Sequence, residues 1–438
     1  MTYRTGGAGI LFLLGGCVGS IVDPSNPDGP ARDGSVGSAD ADPGPDRSHT
    51  ADGSSTGDDV PTGQAACPAG DLALSLGADH LLVGGRMEDA EFDQAPFDLR
   101  YHYLADEIPA DGPCESCASD CPASGDWWGC WQSDDDPPGR YVVGNIEEAE
   151  AAGAIPMISY YIWYYVAGRV EGDEEIAALA DGAKVDRYLR DWRFALERVA
   201  EATAGPVILH VEPDLWGYGH QVDADPAAIY AAVSASAASE CQGLPDTLAG
   251  FARCMLAMAR ALAPAALVGL HASNYGAGED ALHEDDPDFD IDGHADETAA
   301  FMTALGAADA DLLIVEMSNA DAGMDGRWWD ASNATIPNFT RANRWAGRVA
   351  SQMELPYLWW QVPYGHMGLS DQCDRYRDNR ADYFFDHAHE FAAAGALGIA
   401  FGDALSCATT AATDDGHFLG RADAHLAADR PCFCDVCD

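Results

Sequence analysis

From residue 67 onward, short apolar runs alternate with stretches of mixed polarity, and the spacing of apolar positions switches between strand-like and helix-like periods. Eight runs read as strands: 81–85 (LLVGG), 97–104 (FDLRYHYL), 156–164 (PMISYYIWY), 206–212 (PVILHVE), 267–272 (LVGLHA), 312–317 (LLIVEM), 356–361 (PYLWWQ) and 397–402 (LGIAFG). Between them lie helical stretches. Segment 185–202 puts Leu189, Trp192, Ala195, Leu196 and Val199 on one face, and 248–263 is a second helix, more apolar throughout. Segments 298–305 and 344–353 precede the sixth and seventh strands; 388–394 precedes the eighth, with Gly395 placed to end it. Strand and helix repeated about eight times predict an α/β chain folded as a TIM-like (β/α)8 barrel. A doubly wound open sheet would carry a glycine-rich phosphate turn after its first strand, and Gly84-Gly85 is too short for one.

Residues 18–66 lack this patterning. They are mostly Asp, Gly, Ser, Ala and Pro, cannot bury a core, and read as a disordered tether. Ahead of them, 8–16 is a short apolar and glycine stretch, too short to span a bilayer but suited to a signal peptide. Leu14-Gly15-Gly16-Cys17 resembles the lipobox of bacterial lipoproteins, which implies lipidation at Cys17. The expected organisation is a signal peptide over 1–17, a tether over 18–66 and a catalytic barrel over 67–438. The protein is then exported, anchored by lipid to the outer membrane or cell surface, and monomeric.

Charge and cysteine content narrow the partners. With 23 Lys+Arg against 73 Asp+Glu, the net charge is -50, and Lys184 is the sole lysine. Such a surface repels phosphate backbones and anionic lipid, so nucleic acid is excluded and membrane contact is left to the lipid alone. Neutral sugars, peptides and cations remain. Of thirteen cysteines, twelve are left after Cys17, an even number that suits disulfides in an exported chain. Cys114, Cys117, Cys121 and Cys130 crowd one loop insertion, Cys241 and Cys254 bracket a local loop, Cys373 and Cys407 suit a tie between adjacent loops, and Cys432, Cys434 and Cys437 crowd the C-terminus. Zinc is the rival reading of the first cluster.

In a (β/α)8 barrel the chemistry sits at the C-terminal ends of the strands. The fourth strand ends in His210-Val211-Glu212-Pro213-Asp214-Leu215-Trp216, and alternation sends Ile208, His210 and Glu212 inward. The sixth sends Leu312, Ile314 and Glu316 inward. Two carboxylates at strand tops suit glycoside hydrolysis, in which one protonates the leaving oxygen and the other attacks or activates water. Glu212, Glu316 and Asp214 are therefore the candidate catalytic groups; the competing role is a buried carboxylate bound to arginine or backbone N–H groups. Aromatic, imidazole and amide groups at the other strand tops suit sugar rings with apolar faces and hydroxyl rims: His102, Tyr160, Trp163, His210, Trp216, His271, Asn274, Trp359, Gln361, His366 and Asp403. Alternation puts Leu358 and Trp360 on the opposite face from Tyr357, Trp359 and Gln361, and Trp359 is the expected contact.

The run V-I-L-H-V-E-P-D-L-W-G at 207–217 resembles the strand signature of family 6 cellulases, and H-A-S-N-Y at 271–275 is similar to that family's V-S-N-Y. The resemblance implies that Asp214 is the proton donor. The same E-P resembles the N-E-P of clan A glycosidase barrels, which implies that role for Glu212. Asp288-Phe289-Asp290-Ile291-Asp292-Gly293 matches the opening of a calcium loop, with Ala299 where the bidentate Glu belongs. Calcium is thus a candidate ligand of Asp288, Asp290 and Asp292, and no cofactor is required. Two alternatives remain: a metal-dependent hydrolase or isomerase built on His210, Glu212, His271 and Glu316, and a non-catalytic carbohydrate-binding lipoprotein.

Overall fold

The computed structural model describes residues 67–105, 108, 139–203, 205–318, 320–403, 405–428 and 430–433. Cys17, the tether and the cysteines at 114–130, 434 and 437 lie outside them.

Eight strands form a closed, all-parallel barrel in sequence order: β1 (Leu82–Gly85), β2 (Leu99–Ala105), β3 (Ile155–Tyr161), β4 (Val207–Val211), β5 (Ala266–His271), β6 (Leu312–Glu316), β7 (Tyr357–Val362) and β8 (Ala396–Phe401). This is the (β/α)8 barrel that the apolar runs predict. The barrel closes where β1 pairs with both β2 (Gly84 opposite Leu99) and β8 (Leu82 opposite Gly398). A Cβ at Gly84 would lie 1.8 Å from the Leu99 carbonyl oxygen, so the glycine pair serves the seam rather than a phosphate.

Helices ring the barrel, and side-chain caps set their starts. Asp181 accepts from the Ala183 amide ahead of the helix Gly182–Ala202, Thr247 caps Leu248–Leu262, Asp290 caps Ile291–Leu305 and Asn338 caps Phe339–Ser351. The last two begin earlier than the apolar pattern predicts, because in their first turns single apolar residues, Ile291 and Phe339, stand among polar ones. The helix Arg380–Ala393 also starts earlier; His387 breaks its geometry, and Gly395 (φ +94°) follows its end. Cys241–Cys254 and Cys373–Cys407 are disulfides, as their spacing suggested, and Cys67 and Cys432 are also disulfide-bonded.

The calcium loop does not form a cage. The helix Ile291–Leu305 begins inside the matched segment, so its carboxylates are used elsewhere. Asp290 caps that helix, Asp292 accepts from Arg344 Nε at 2.8 Å, and Asp296 accepts from Arg348 Nε at 2.6 Å. Asp288 is exposed on the preceding turn.

Candidate active site at the barrel mouth

Two breaks in strand alternation decide which side chains reach the mouth. At the end of β4, Glu212 takes a left-handed conformation (φ +49°). Its carboxyl turns away from the barrel interior toward the helix layer, where Oε1 accepts from the amides of Ile162 (3.1 Å) and Trp163 (3.0 Å) and from the Tyr188 hydroxyl (2.7 Å). Burial raises its pKa to about 8, against the pull of those donors. Glu212 is therefore a structural carboxyl that pins the turn after β3, and its expected catalytic role is corrected. Glu212→Gln keeps the accepting oxygen and should leave activity within about fivefold of wild type, whereas Glu212→Ala strands three donors and should cost about 1–3 kcal/mol in urea unfolding.

At the end of β7, the register shifts between Trp360 and Val362, and Gln361 is left-handed (φ +55°). Up to that bulge the alternation holds, and it turns Trp360 inward. Its ring meets His210 (4.5 Å between centroids), Tyr103 (5.8 Å) and Tyr101 (6.2 Å). Trp359 packs edge-on against Tyr357 outside the barrel, so the preference for Trp359 is reversed. Past the bulge, Gln361 also reaches the interior and donates to the Tyr103 hydroxyl.

Other expected sugar contacts are corrected by the same logic. Tyr160 points to the helix layer and donates to Asp191 at 2.7 Å. His102 faces outward against Tyr141. Trp163 and Trp216 are buried against Phe251 beneath the helix layer. Asn274 donates to Asp280 at 2.5 Å and is buried in its own loop, and His366 stacks on His417 (4.3 Å).

Inside the barrel, His210 and His271 share a hydrogen bond (Nε2 to Nδ1, 3.1 Å), and Ser159 bonds the other nitrogen of His210. Burial lowers both imidazole pKa values, that of His271 to about 3, so the pair is neutral. The metal set imagined for His210, Glu212, His271 and Glu316 does not converge: the histidines bond each other and Glu212 turns outward. Among the described residues, the group with ligand-like spacing is Cys373, Asp374 and Cys407, whose sulfurs form a disulfide.

What stays at the mouth is a pair of half-buried carboxyls. Glu316 ends β6 beside Trp360 of β7. Burial, followed by the charges of Asp214 and Asp280, raises its pKa to about 8 against the pull of Arg380. Asp214 stands at the start of the helix Leu215–Val222 and accepts from the Tyr275 hydroxyl at 3.2 Å. That contact needs Gly217, where a Cβ would lie 2.5 Å from Ser273 Oγ and 2.9 Å from the Tyr275 ring. On the β1–β2–β8 side, Arg86 lies over the Tyr103 ring (5.6 Å) and donates to Asp403 at 3.3 Å.

Three of these groups escaped the reading of strand ends. Arg86 directly follows the glycine-ended strand β1. Tyr103 shares the inward parity of Tyr101, opposite to that of the expected His102. Glu175, on the helix Asp173–Ala177, lies away from the strand ends; it is buried with neither carboxyl oxygen bonded, and burial followed by the charge of Asp214 raises its pKa to about 10.

No protein-family model matches this chain, and no curated protein does. Among solved structures, an endo-β-1,4-mannanase of Cellulomonas fimi, in a double mutant, is similar at 12% identity, covering 85% of this chain and 77% of that one (TM-score 0.44). The endo-β-1,4-mannanase of Thermotoga petrophila is similar at 9% identity, covering 81% and 79% (TM-score 0.45). An endoglucanase of Humicola insolens is similar at 14% identity, covering 54% and 65% (TM-score 0.33). At these scores the likenesses carry no argument about chemistry, which rests on the residues of the mouth.

Proposed function

We propose that this chain is a glycoside hydrolase that cleaves O-glycosidic bonds of an extracellular polysaccharide or oligosaccharide, tethered to the cell surface through a lipidated Cys17. The observation that carries the reading is the pair Asp214 and Glu316, two carboxyls from separate strand ends that share one mouth and act on each other electrostatically. Acid-assisted glycoside cleavage needs two carboxyls at one site, one of them holding a proton to give, and burial raises the pKa of Glu316 to about 8.

Glu316 holds its proton at neutral pH and donates it to the departing glycosidic oxygen. Asp214, steadied by Tyr275, attacks the anomeric carbon or activates water. Tyr103, half-buried and set on the buried Trp360, offers apolar surface to a sugar's C–H face, while Arg86 and Asp403 offer a donor and an acceptor to hydroxyls. The excess of acidic groups favours neutral glycans over uronates.

The test is release of reducing ends from a panel of neutral polysaccharides by the full chain, followed over pH. Because the working form of Glu316 is protonated, kcat/KM should hold up to about pH 8 and fall about tenfold per unit above it. Absence of reducing ends from every glycan, or an alkaline limb near pH 5, defeats the assignment.

A further inference from the structure

Seven of the eight tryptophans among the described residues are at most 3% exposed, while Trp328 is 39% exposed. It lies in the loop after β6, at the end of the barrel that carries the mouth. Its neighbour Trp329 anchors that loop, packed against Phe339 (5.2 Å) and His283 (5.7 Å), so the loop does not need Trp328 for burial.

Trp328 rests on a firm base. The Arg377 guanidinium lies 4.9 Å from its ring centroid, and Arg377 is clamped in turn by Asp371, whose carboxylate accepts from Nε at 2.6 Å and from the Arg377 amide at 2.9 Å. The amide of Gly323 donates to the Arg377 carbonyl at 2.8 Å, and a Cβ there would lie 2.2 Å from Asp371 Oδ1, so the two loops are closely joined. The platform also connects to the mouth. Arg327 Nη1 lies 3.9 Å from Asp280, which holds Asn274, and the next residue, Tyr275, bonds Asp214.

We infer that Trp328, backed by Arg377, is a distal subsite that stacks a pyranose ring of a neutral polysaccharide whose scissile bond lies at Asp214 and Glu316. An indole left open beside fixed polar groups matches a sugar's C–H face and hydroxyl edge, and the net charge of -50 disfavours an anionic chain. The inference rests on the proposed hydrolase and adds that the site grips a chain longer than the bond it cuts.

The experiment compares full-length wild type, Trp328→Ala and Trp328→Tyr on a polysaccharide that wild type degrades and on a short aryl oligoglycoside. Trp328→Ala should raise KM for the polymer about three- to tenfold, leave kcat and the short substrate unchanged, and be largely rescued by Trp328→Tyr. Native gels containing hydroxyethylcellulose, galactomannan or arabinoxylan should retard wild type more than Trp328→Ala. Equal KM values and equal mobilities overturn the subsite. If wild type cuts no glycan, retardation that depends on Trp328 keeps the subsite while the hydrolase falls, and absence of retardation overturns both.

Discussion

Glu316→Gln is expected to lower kcat on a natural glycan by about a thousandfold, and Asp214→Asn by at least as much, with both proteins folded. Each residue is half-buried at the mouth, and each substitution preserves shape while removing a titrating oxygen. The two should part on an aryl glycoside with an acidic phenol. That leaving group departs without a proton, so Glu316→Gln should recover most of its activity there, while Asp214→Asn should stay inactive because its defect lies in the attack. Steady-state kinetics on the two substrates, with circular dichroism for folding, decide the matter. The reverse pattern would make Asp214 the donor, the role implied by the likeness of E-P-D to family 6 cellulases. Full activity in both variants would remove the carboxyl pair from the chemistry.

Glu175→Gln is expected to stabilise the protein by about 3 kcal/mol at pH 7 and by nothing at pH 4. In the unfolded chain Glu175 ionises near its ordinary value of 4.5, while in the fold it keeps its proton up to about 10. The folded state therefore binds the extra proton, and its advantage is complete below pH 4.5 and shrinks as pH rises toward 10. At pH 7 the loss is 2.303RT for each of about 2.5 units. The amide cannot ionise and escapes this dependence. Urea unfolding of both proteins between pH 4 and 8 measures it, and parallel curves would show that Glu175 is charged in the fold. A carboxyl kept at such a disadvantage beside Asp214 fits the pattern in which stability is given up near a working site.

Particular residues show how far the sequence reading reached. All eight strands appear where the apolar runs lie, and Gly395 stops the helix it was expected to stop. Glu316 stands at the mouth where alternation expects it, since β6 pairs with β7 without a register shift up to that residue. The same rule failed at Glu212, and at β7 it held while the choice made from it failed. Trp360, set aside in favour of Trp359, forms the floor of the mouth, and Asp214, two residues past Glu212, takes the place given to that glutamate.

The order of strands and helices was determined by the sequence alone, because burial on both faces of a parallel strand and on one stripe of a helix leaves a pattern that each segment carries by itself. Tertiary structure decided which carboxyl faces the mouth and which carboxyls near 290 were already committed to Arg344 and Arg348. The reason is physical. One left-handed residue breaks the strand's alternation where it stands, and at Glu212 and Gln361 nothing in the residue type calls for that conformation. It accompanies contacts with partners far along the chain, Tyr188 for Glu212 and Tyr103 for Gln361, which come within reach only once the barrel has closed.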